Sequence, residues 1–233
     1  SKKAQKIYEV IGYRKKIFKF IPNGYDLSIL RINKSQKIIF KKRNKIKKQI
    51  PLIGYVARFD PQKDHSNLLN ALALIRSKNI EFFCILVGSN IDKRNDELVS
   101  EIKKLQLSDH VKLLGQINDI SNVMNAIDIH VLSSSYGEGF PNVVAEAMAC
   151  GTPCVVTDVG DAGFIVGKNG WIVSPKDPTK LANAIKKAIS EIGSDGWNKK
   201  RNKARSRIKK NFNIDKMIRL YNELWNRVYK SNQ

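Results

Sequence analysis

Ile127-Asp128-Ile129-His130-Val131-Leu132, a loop through Gly137-Glu138-Gly139-Phe140-Pro141, then Asn142-Val143-Val144-Ala145-Glu146-Ala147-Met148-Ala149, then Gly151-Thr152-Pro153 and Cys154-Val155-Val156 decide the fold. The first run is short, apolar and β-branched, as a buried strand requires. Pro141 suits the first position of a helix, because its fixed φ is helical and its missing N–H is not needed there. The apolar run behind it is helical in composition and length. Gly-Thr-Pro then ends the helix ahead of a second β-branched strand. Strand, helix, strand makes one βαβ unit and implies a parallel pair.

The same alternation continues outward. Upstream, Ile53–Phe59 reads as a strand, Ser66–Arg76 as a helix, Phe82–Val87 as a strand ended by Gly88, and Asp96–Leu105 as a helix. Val111–Leu114 reads as a strand and Ile120–Ala126 as a short helix. Downstream, Trp171–Val173 reads as a strand and Thr179–Ile189 as a helix. The expected fold class is α/β, a doubly wound, mostly parallel sheet covered on both faces.

Ligands of such sheets bind outside the carboxyl ends of the strands. Three stretches fall there. In Arg58-Phe59-Asp60-Pro61-Gln62-Lys63, two cations five residues apart flank a Pro-containing loop. They are placed to converge on one anion, Arg as a planar fork and Lys as a point charge, which suits a diphosphate. In Gly137–Asn142, two glycines allow close backbone approach and free N–H groups at the helix start attract anions. Gly137, Gly139 and Pro141 rule out one continuous helix through Glu138 and Glu146, so the two carboxylates have different tasks. Glu138 is expected in the loop facing a reacting centre. Glu146, flanked only by apolar residues, is expected to face a diol. Asp158–Gly163 is a Gly-rich loop able to close one side. It is neither a dinucleotide Gly-x-Gly-x-x-Gly opening a helix nor a P-loop, which moves NAD enzymes and ATPases down the list.

Composition bounds the rest. The chain has 233 residues, 42% of them hydrophobic, with no apolar run near the ~20 residues that span a bilayer. The start at Ser1 has no signal core and reads as a cut or processed end. Cys84, Cys150 and Cys154 lack framework or metal spacing and read as reduced core thiols, pointing to a cytoplasmic protein. The formal charge is +21, from 42 Lys and Arg against 21 Asp and Glu, concentrated in 41–48 and 199–210. Such charge attracts polyanions. It leaves three readings: a composition habit, an anionic membrane surface, or nucleic acid. No helix-turn-helix or aromatic RNA motif supports the last, and nucleic acid is not expected as a partner.

Together these residues resemble the retaining glycosyltransferases of the GT-B fold, family 4 (glycosyltransferase group 1). The resemblance rests on Pro22-Asn23-Gly24-x-Asp26, Gly54-x-x-x-Arg58 with Lys63, Leu86-Val87-Gly88, Val111-x-Leu113-x-Gly115, and the E-x7-E element from Glu138 through Cys154. It implies a Rossmann-like, C-terminal donor domain binding a nucleotide-diphosphate sugar of UDP or GDP type, with no cofactor; with no Asp-x-Asp motif in a suitable loop, no metal is expected. It implies that Arg58 and Lys63 bind the diphosphate, Glu138 faces the donor sugar and Glu146 holds the ribose. Gly115, Gln116, Ile117 and Asn118 match a stretch that touches the base. Backbone groups of Gly139, Phe140, Pro141 and Asn142 would meet sugar and phosphate. The resemblance leaves open whether Glu138 is a nucleophile.

It also implies a domain plan: 1–26 as the remnant of an N-terminal acceptor domain and the passage from it, 27–50 as a basic linker, 51–210 as the donor domain, and 211–233 as a helix crossing back. Residues 2–21 would be the last helix and strand of the acceptor domain, and the apolar face of 215–229 would pack on the part that is missing. His65, His110 and His130 match no catalytic position and read as structural. The implied partners are the nucleotide sugar, a glycan or lipid-linked acceptor, the missing acceptor domain and an anionic membrane. The expected location is cytoplasmic, peripheral on the inner face of the cytoplasmic membrane. Two functions follow: sugar transfer, or an isolated nucleotide-sugar-binding module inactive without its acceptor half.

Overall fold

The computed structural model describes residues 1–15 and 18–231. Two helices come first, α1 (Lys2–Val10) and α2 (Lys34–Arg43). The alternating body follows: β1 (Leu52–Val56), α3 (His65–Arg76), β2 (Phe83–Val87), α4 (Asp96–Lys104), β3 (Val111–Leu113), α5 (Ile120–Ala126), β4 (Ile129–Leu132), α6 (Asn142–Ala149), β5 (Cys154–Thr157), α7 (Ala162–Val166), β6 (Trp171–Val173) and α8 (Pro178–Glu191). Helices α9 (Asp195–Asn211) and α10 (Ile214–Ser231) end it. The six strands form one sheet in the order β3-β2-β1-β4-β5-β6, and every pair is parallel.

The strands read as continuous apolar runs because both faces are covered. Alternate residues serve alternate layers. Leu52 and Val56 join Val123, Val144, Met148 and Ile208 in the layer under α5, α6 and α9. Ile53 and Tyr55 join Leu68, Leu72, Leu98 and Ile185 in the layer under α3, α4 and α8. Each fully buried Leu, Ile or Val contributes about 1.5–3 kcal/mol relative to exposure. Gly54 lies between the layers' demands: a Cβ there would stand 2.6 Å from Ile127 Cδ1. Side chains of Asp64, Asn95, Asp119, Asp177 and Ser194 cap helix N-termini, satisfying amides that lack intrahelical partners.

Several features differ from the expectations or add to them. The stretch 27–50 is not simply a linker: its middle is α2, which packs on α5, and Lys41 and Ile46 are buried. Lys41 Nζ donates to the carbonyls of Lys48 (2.9 Å) and Ile50 (2.5 Å), and Lys37 pairs with Asp128. These backbone acceptors exist only once the loop has closed, so composition alone suggested an exposed run. The Gly-rich loop 158–163 leads straight into α7. The second basic stretch, 199–210, lies within α9. Finally, Phe18–Ile21 forms no strand; Ile17 of that apolar patch lies outside the described residues, as do 232–233 of the tail.

The tail helix docks by its first turn. Gly24 N–H approaches Met217 Sδ at 3.1 Å, and Tyr25 forms an isolated bridge with Asn213. A Cβ on Gly24 would sit 2.8 Å from Ile214 Cα, so the passage needs glycine for close approach. Farther along, Ile218, Tyr221 and Trp225 are exposed.

Candidate functional site

The strand order reverses direction between β1 and β4, so the loops leaving their carboxyl ends diverge to opposite faces and leave a crevice. Those loops are Ala57–Asp64 and Ser133–Pro141, and they carry Arg58, Lys63 and Glu138. They are fastened together. Ser135 N–H donates to Gln62 O at 2.9 Å. Ser133 Oγ donates to the carbonyls of Lys63 (3.0 Å) and Asp64 (2.8 Å), and Tyr55 OH also bonds Lys63 O. Thr157 Oγ1 donates to Ser134 O at 2.6 Å, bringing β5 into the same net.

Lys63 and Glu138 meet directly. Lys63 Nζ stands 2.5 Å from Glu138 Oε1, with only 13% and 7% of the two side chains exposed. Ser134 Oγ donates to the same oxygen at 2.6 Å. The expectation that Lys63 and Arg58 face one anion is therefore only half visible. Lys63 faces Glu138. Arg58 stays at the open mouth, its side chain 56% exposed, with Nε 3.0 Å from Asp60 Oδ2 and Nη2 3.5 Å from Gln62 Oε1. The Gln62 amide, and then Arg58, hold the Asp60 carboxyl below the usual carboxylate range.

The Glu138 loop is braced from behind. Asp161 N–H donates to Gly139 O at 2.9 Å. Gly160, at φ +54, lies so close that a Cβ would come within 2.0 Å of Glu138 O. Gly139 is the opposite case: a Cβ there meets nothing within 4 Å, so the space beside it is open.

Pro141 is the residue before α6 rather than its first helical position, with φ −69 and ψ 106, and no side chain caps this helix. The uncapped amides of its first turn face the crevice end, where helix geometry favours an anion. Asn142 turns its side chain away: Oδ1 accepts from Tyr25 OH and Asn23 Nδ2, both at 2.8 Å. Phe140 likewise packs inward, edge-on to Phe212 with centroids 5.5 Å apart. Asn142 is exposed, and its side-chain amide nitrogen has no hydrogen-bond partner among the described residues.

Glu146 is half-buried in α6, and its carboxylate accepts no hydrogen bond from the described residues. Burial raises its pKa, and its charge, after burial, helps raise that of Tyr25. A carboxylate so placed has unmet acceptor capacity, as a diol-binding group requires. The loop after β3 is set by Gly115 at φ +67, whose carbonyl accepts from Gly88 N–H at 2.9 Å and whose N–H reaches Ile91 O at 2.8 Å. Gln116 and Asn118 are exposed, and Ile117 lines a cavity of about 380 Å³ with Ile39, Phe40 and Leu114.

The histidines stand apart from this chemistry. His65 lies between the Tyr55 and Phe59 rings, and burial lowers its pKa to about 4; full burial lowers that of His130 to about 3. The three cysteines are free and buried. Among the described residues, no three His, Cys, Asp or Glu side chains converge as a metal site. Sequence reasoning missed Tyr55, Ser133, Ser134, Thr157 and Asp161. Hydroxyls at the strand ends were the available signal; Ser134 meets Glu138 four residues on, but Ser133 and Thr157 find their partners 23 to 70 residues away in sequence.

Residues 36–224 match the family model described as glycosyl transferases group 1. A UDP-Gal:alpha-D-GlcNAc-diphosphoundecaprenol alpha-1,3-galactosyltransferase of Escherichia coli is 28% identical over 214 residues, covering 88% of this chain and 53% of that protein. Among solved structures, a glycosyltransferase from Rickettsia africae ESF-5 superposes with a TM-score of 0.88 at 22% identity, over 97% of this chain and 62% of that one. Anabaena HepE in complex with UDP-glucose gives a TM-score of 0.84 at 25% identity, over 97% of this chain and 62% of that one. The chain thus spans between half and two thirds of the length of these proteins.

Proposed function

The chain belongs to the group 1 glycosyl transferases, and from that premise we propose that it is the donor-binding half of an enzyme that moves a sugar, with retention, from a nucleotide diphosphate to a glycan or lipid-linked acceptor. Transfer is proposed for the whole protein and donor binding for the residues described. The observation that carries the reading is the Lys63–Glu138 pair at the β1/β4 reversal, beside the uncapped start of α6.

Lys63, Arg58 and the α6 amides bind the diphosphate and stabilise the negative charge that grows on it as the sugar departs. Removing one such contact costs about 2.7–4 kcal/mol of barrier. The pair orients Lys63 before the donor arrives, so little reorganisation remains. Glu138, fixed by Ser134, orients the sugar over the loop at Gly139. Glu146 accepts the two ribose hydroxyls. Gly115–Asn118 meet the base. A uridine donor comes first, since HepE holds UDP-glucose and the E. coli relative is described as using UDP-Gal. That relative's diphosphoundecaprenol acceptor supports a lipid-linked acceptor and work at the inner face of the cytoplasmic membrane.

Calorimetry of the chain with UDP, GDP, UDP-glucose and GDP-mannose tests this. Saturable binding of one nucleotide series, weakened about tenfold or more by Arg58→Ala, is expected. Equal, non-saturating heats for all four, or binding unaffected by both Arg58→Ala and Glu146→Gln, would sink it.

A further inference from the structure

We propose that the face formed by α2 and the loop after it is a docking surface for an anionic lipid bilayer. It makes specific the membrane location proposed above, but its grounds are independent of the donor site. Residues 27–50 hold nine Lys and Arg and no Asp or Glu. The structure separates this stretch from the other basic one. In α9, Arg201, Arg205 and Arg207 donate to backbone carbonyls of Gly151, Leu30, Ala149, Ile165 and Phe164, and Lys200 pairs with Glu191 over the Trp171 ring. Those four cations are engaged in holding the fold, while Lys199, Lys203, Lys209 and Lys210 of the same stretch are exposed.

Around α2 the unpaired cations border exposed isoleucines, whereas no large hydrophobic side chain of 199–210 is exposed. Lys37 and Lys41 share the buried Asp128. The side chains of Lys34, Lys42, Lys47 and Lys48 have no hydrogen-bond or ion-pair partner among the described residues, and all four are exposed. Lys34, Lys37, Lys42 and Lys48 surround a cavity of about 480 Å³ whose apolar wall includes Ile38 and Ile46. Ile38 and Ile39 are 59% and 55% exposed, an arrangement of cations around outward isoleucines that water does not favour. Cations flanking exposed aliphatic groups match an anionic interface, where headgroup phosphates meet the charges and the aliphatic groups enter the acyl boundary. A peripheral contact is what the fold allows, since no helix among the described residues is long and apolar enough to cross a membrane.

The patch has a definite place. Asp128 also accepts from Leu52 N–H at 2.9 Å, at the amino ends of β1 and β4. Arg58, Lys63 and Glu138 lie beyond the carboxyl ends of the same strands, roughly 16 Å away for a five-residue strand. Vesicle binding and nucleotide binding therefore do not compete.

Co-sedimentation of the chain with phosphatidylglycerol/phosphatidylethanolamine vesicles, with phosphatidylcholine vesicles as control, tests the proposal. Binding is expected to the first and not the second. Lys34→Ala, Lys42→Ala and Lys48→Ala together should lower partitioning by about a hundredfold, with an unchanged melting temperature and unchanged UDP affinity. Ile38→Ser should weaken the binding that survives at high salt. Equal binding to both vesicles, wild-type partitioning by the triple variant, or a DNA duplex that binds as tightly and ignores Ile38→Ser would overturn it. Vesicle binding is read without nucleotide and UDP affinity without vesicles, so failure of either reading is seen separately.

Discussion

Lys63 Nζ and Glu138 Oε1 stand 2.5 Å apart, although 75 residues separate them in sequence. The contact joins the loop after β1 to the loop after β4, and both side chains are largely buried. Removing one partner leaves the other unpaired, which costs about 3–5 kcal/mol in buried pairs. Replacing both with apolar groups is often neutral. Lys63→Met alone should therefore lower the chemical-denaturation midpoint strongly, while Lys63→Met with Glu138→Leu should recover most of it. Neither should recover nucleotide affinity. A double variant no more stable than the single one would mean the pair is not the source of the loss.

Glu146 gives a pH prediction. Burial raises its folded pKa above the unfolded value. The folded state therefore holds the proton more tightly, a contribution fully present below the ordinary Glu pKa of about 4.3 and lost as pH rises through the raised value. Glu146→Gln should be more stable than the wild type at neutral pH, with the difference shrinking in acid. It should also weaken nucleotide binding, since charge-assisted hydrogen bonds contribute about 1.5–3 kcal/mol. Denaturation at pH 4 and 7, with calorimetry, reads both; a variant less stable at pH 7 than at pH 4, relative to wild type, contradicts the burial argument.

Two glycines in contact with the same loop should respond in opposite ways. Gly160→Ala forces a Cβ against Glu138 O at positive φ, so it should lower both stability and nucleotide affinity. Gly139→Ala meets no protein atom within 4 Å and should leave the melting temperature unchanged while reducing affinity. Full affinity in Gly139→Ala would show that this backbone does not approach the ligand.

Asp161 ties the first helix to the donor loop. Its carboxylate accepts from Ser1 Oγ (3.0 Å), Lys2 N–H (2.7 Å) and Lys3 N–H (3.0 Å). Loss of such a cap costs about 0.5–2 kcal/mol. Asp161→Ala should speed hydrogen exchange across Lys2–Val10 while exchange in β1 and β4 stays slow. Unchanged exchange in α1 would show that other contacts hold it.

Much of this was legible from residues 52–191. The alternation of short β-branched runs with longer apolar-periodic ones located all six strands, and Asn142–Ala149 and Trp171–Val173 to the residue. Arg58, Lys63 and Glu138 stood out because charge is rare next to apolar runs at strand ends, and Glu146 because its helix neighbours are all apolar. The reading failed where partners are distant: Lys41 looked exposed until the carbonyls of Lys48 and Ile50 were placed over it. The side-chain partners of Asn142, Tyr25 and Asn23, were likewise invisible, lying more than a hundred residues away in sequence.

By itself the sequence determined the α/β class, the βαβ units and which charged residues stand at strand ends, because periodicity and turn chemistry are local properties of the chain. Only the tertiary structure decided that Lys63 faces Glu138 while Arg58 faces Asp60, and which cations of each basic stretch are engaged: Lys37 and Lys41 in the first, Lys200, Arg201, Arg205 and Arg207 in the second. Those outcomes depend on which loops the strand order 3-2-1-4-5-6 brings side by side, and on competition among acceptors that are neighbours in space but not along the chain.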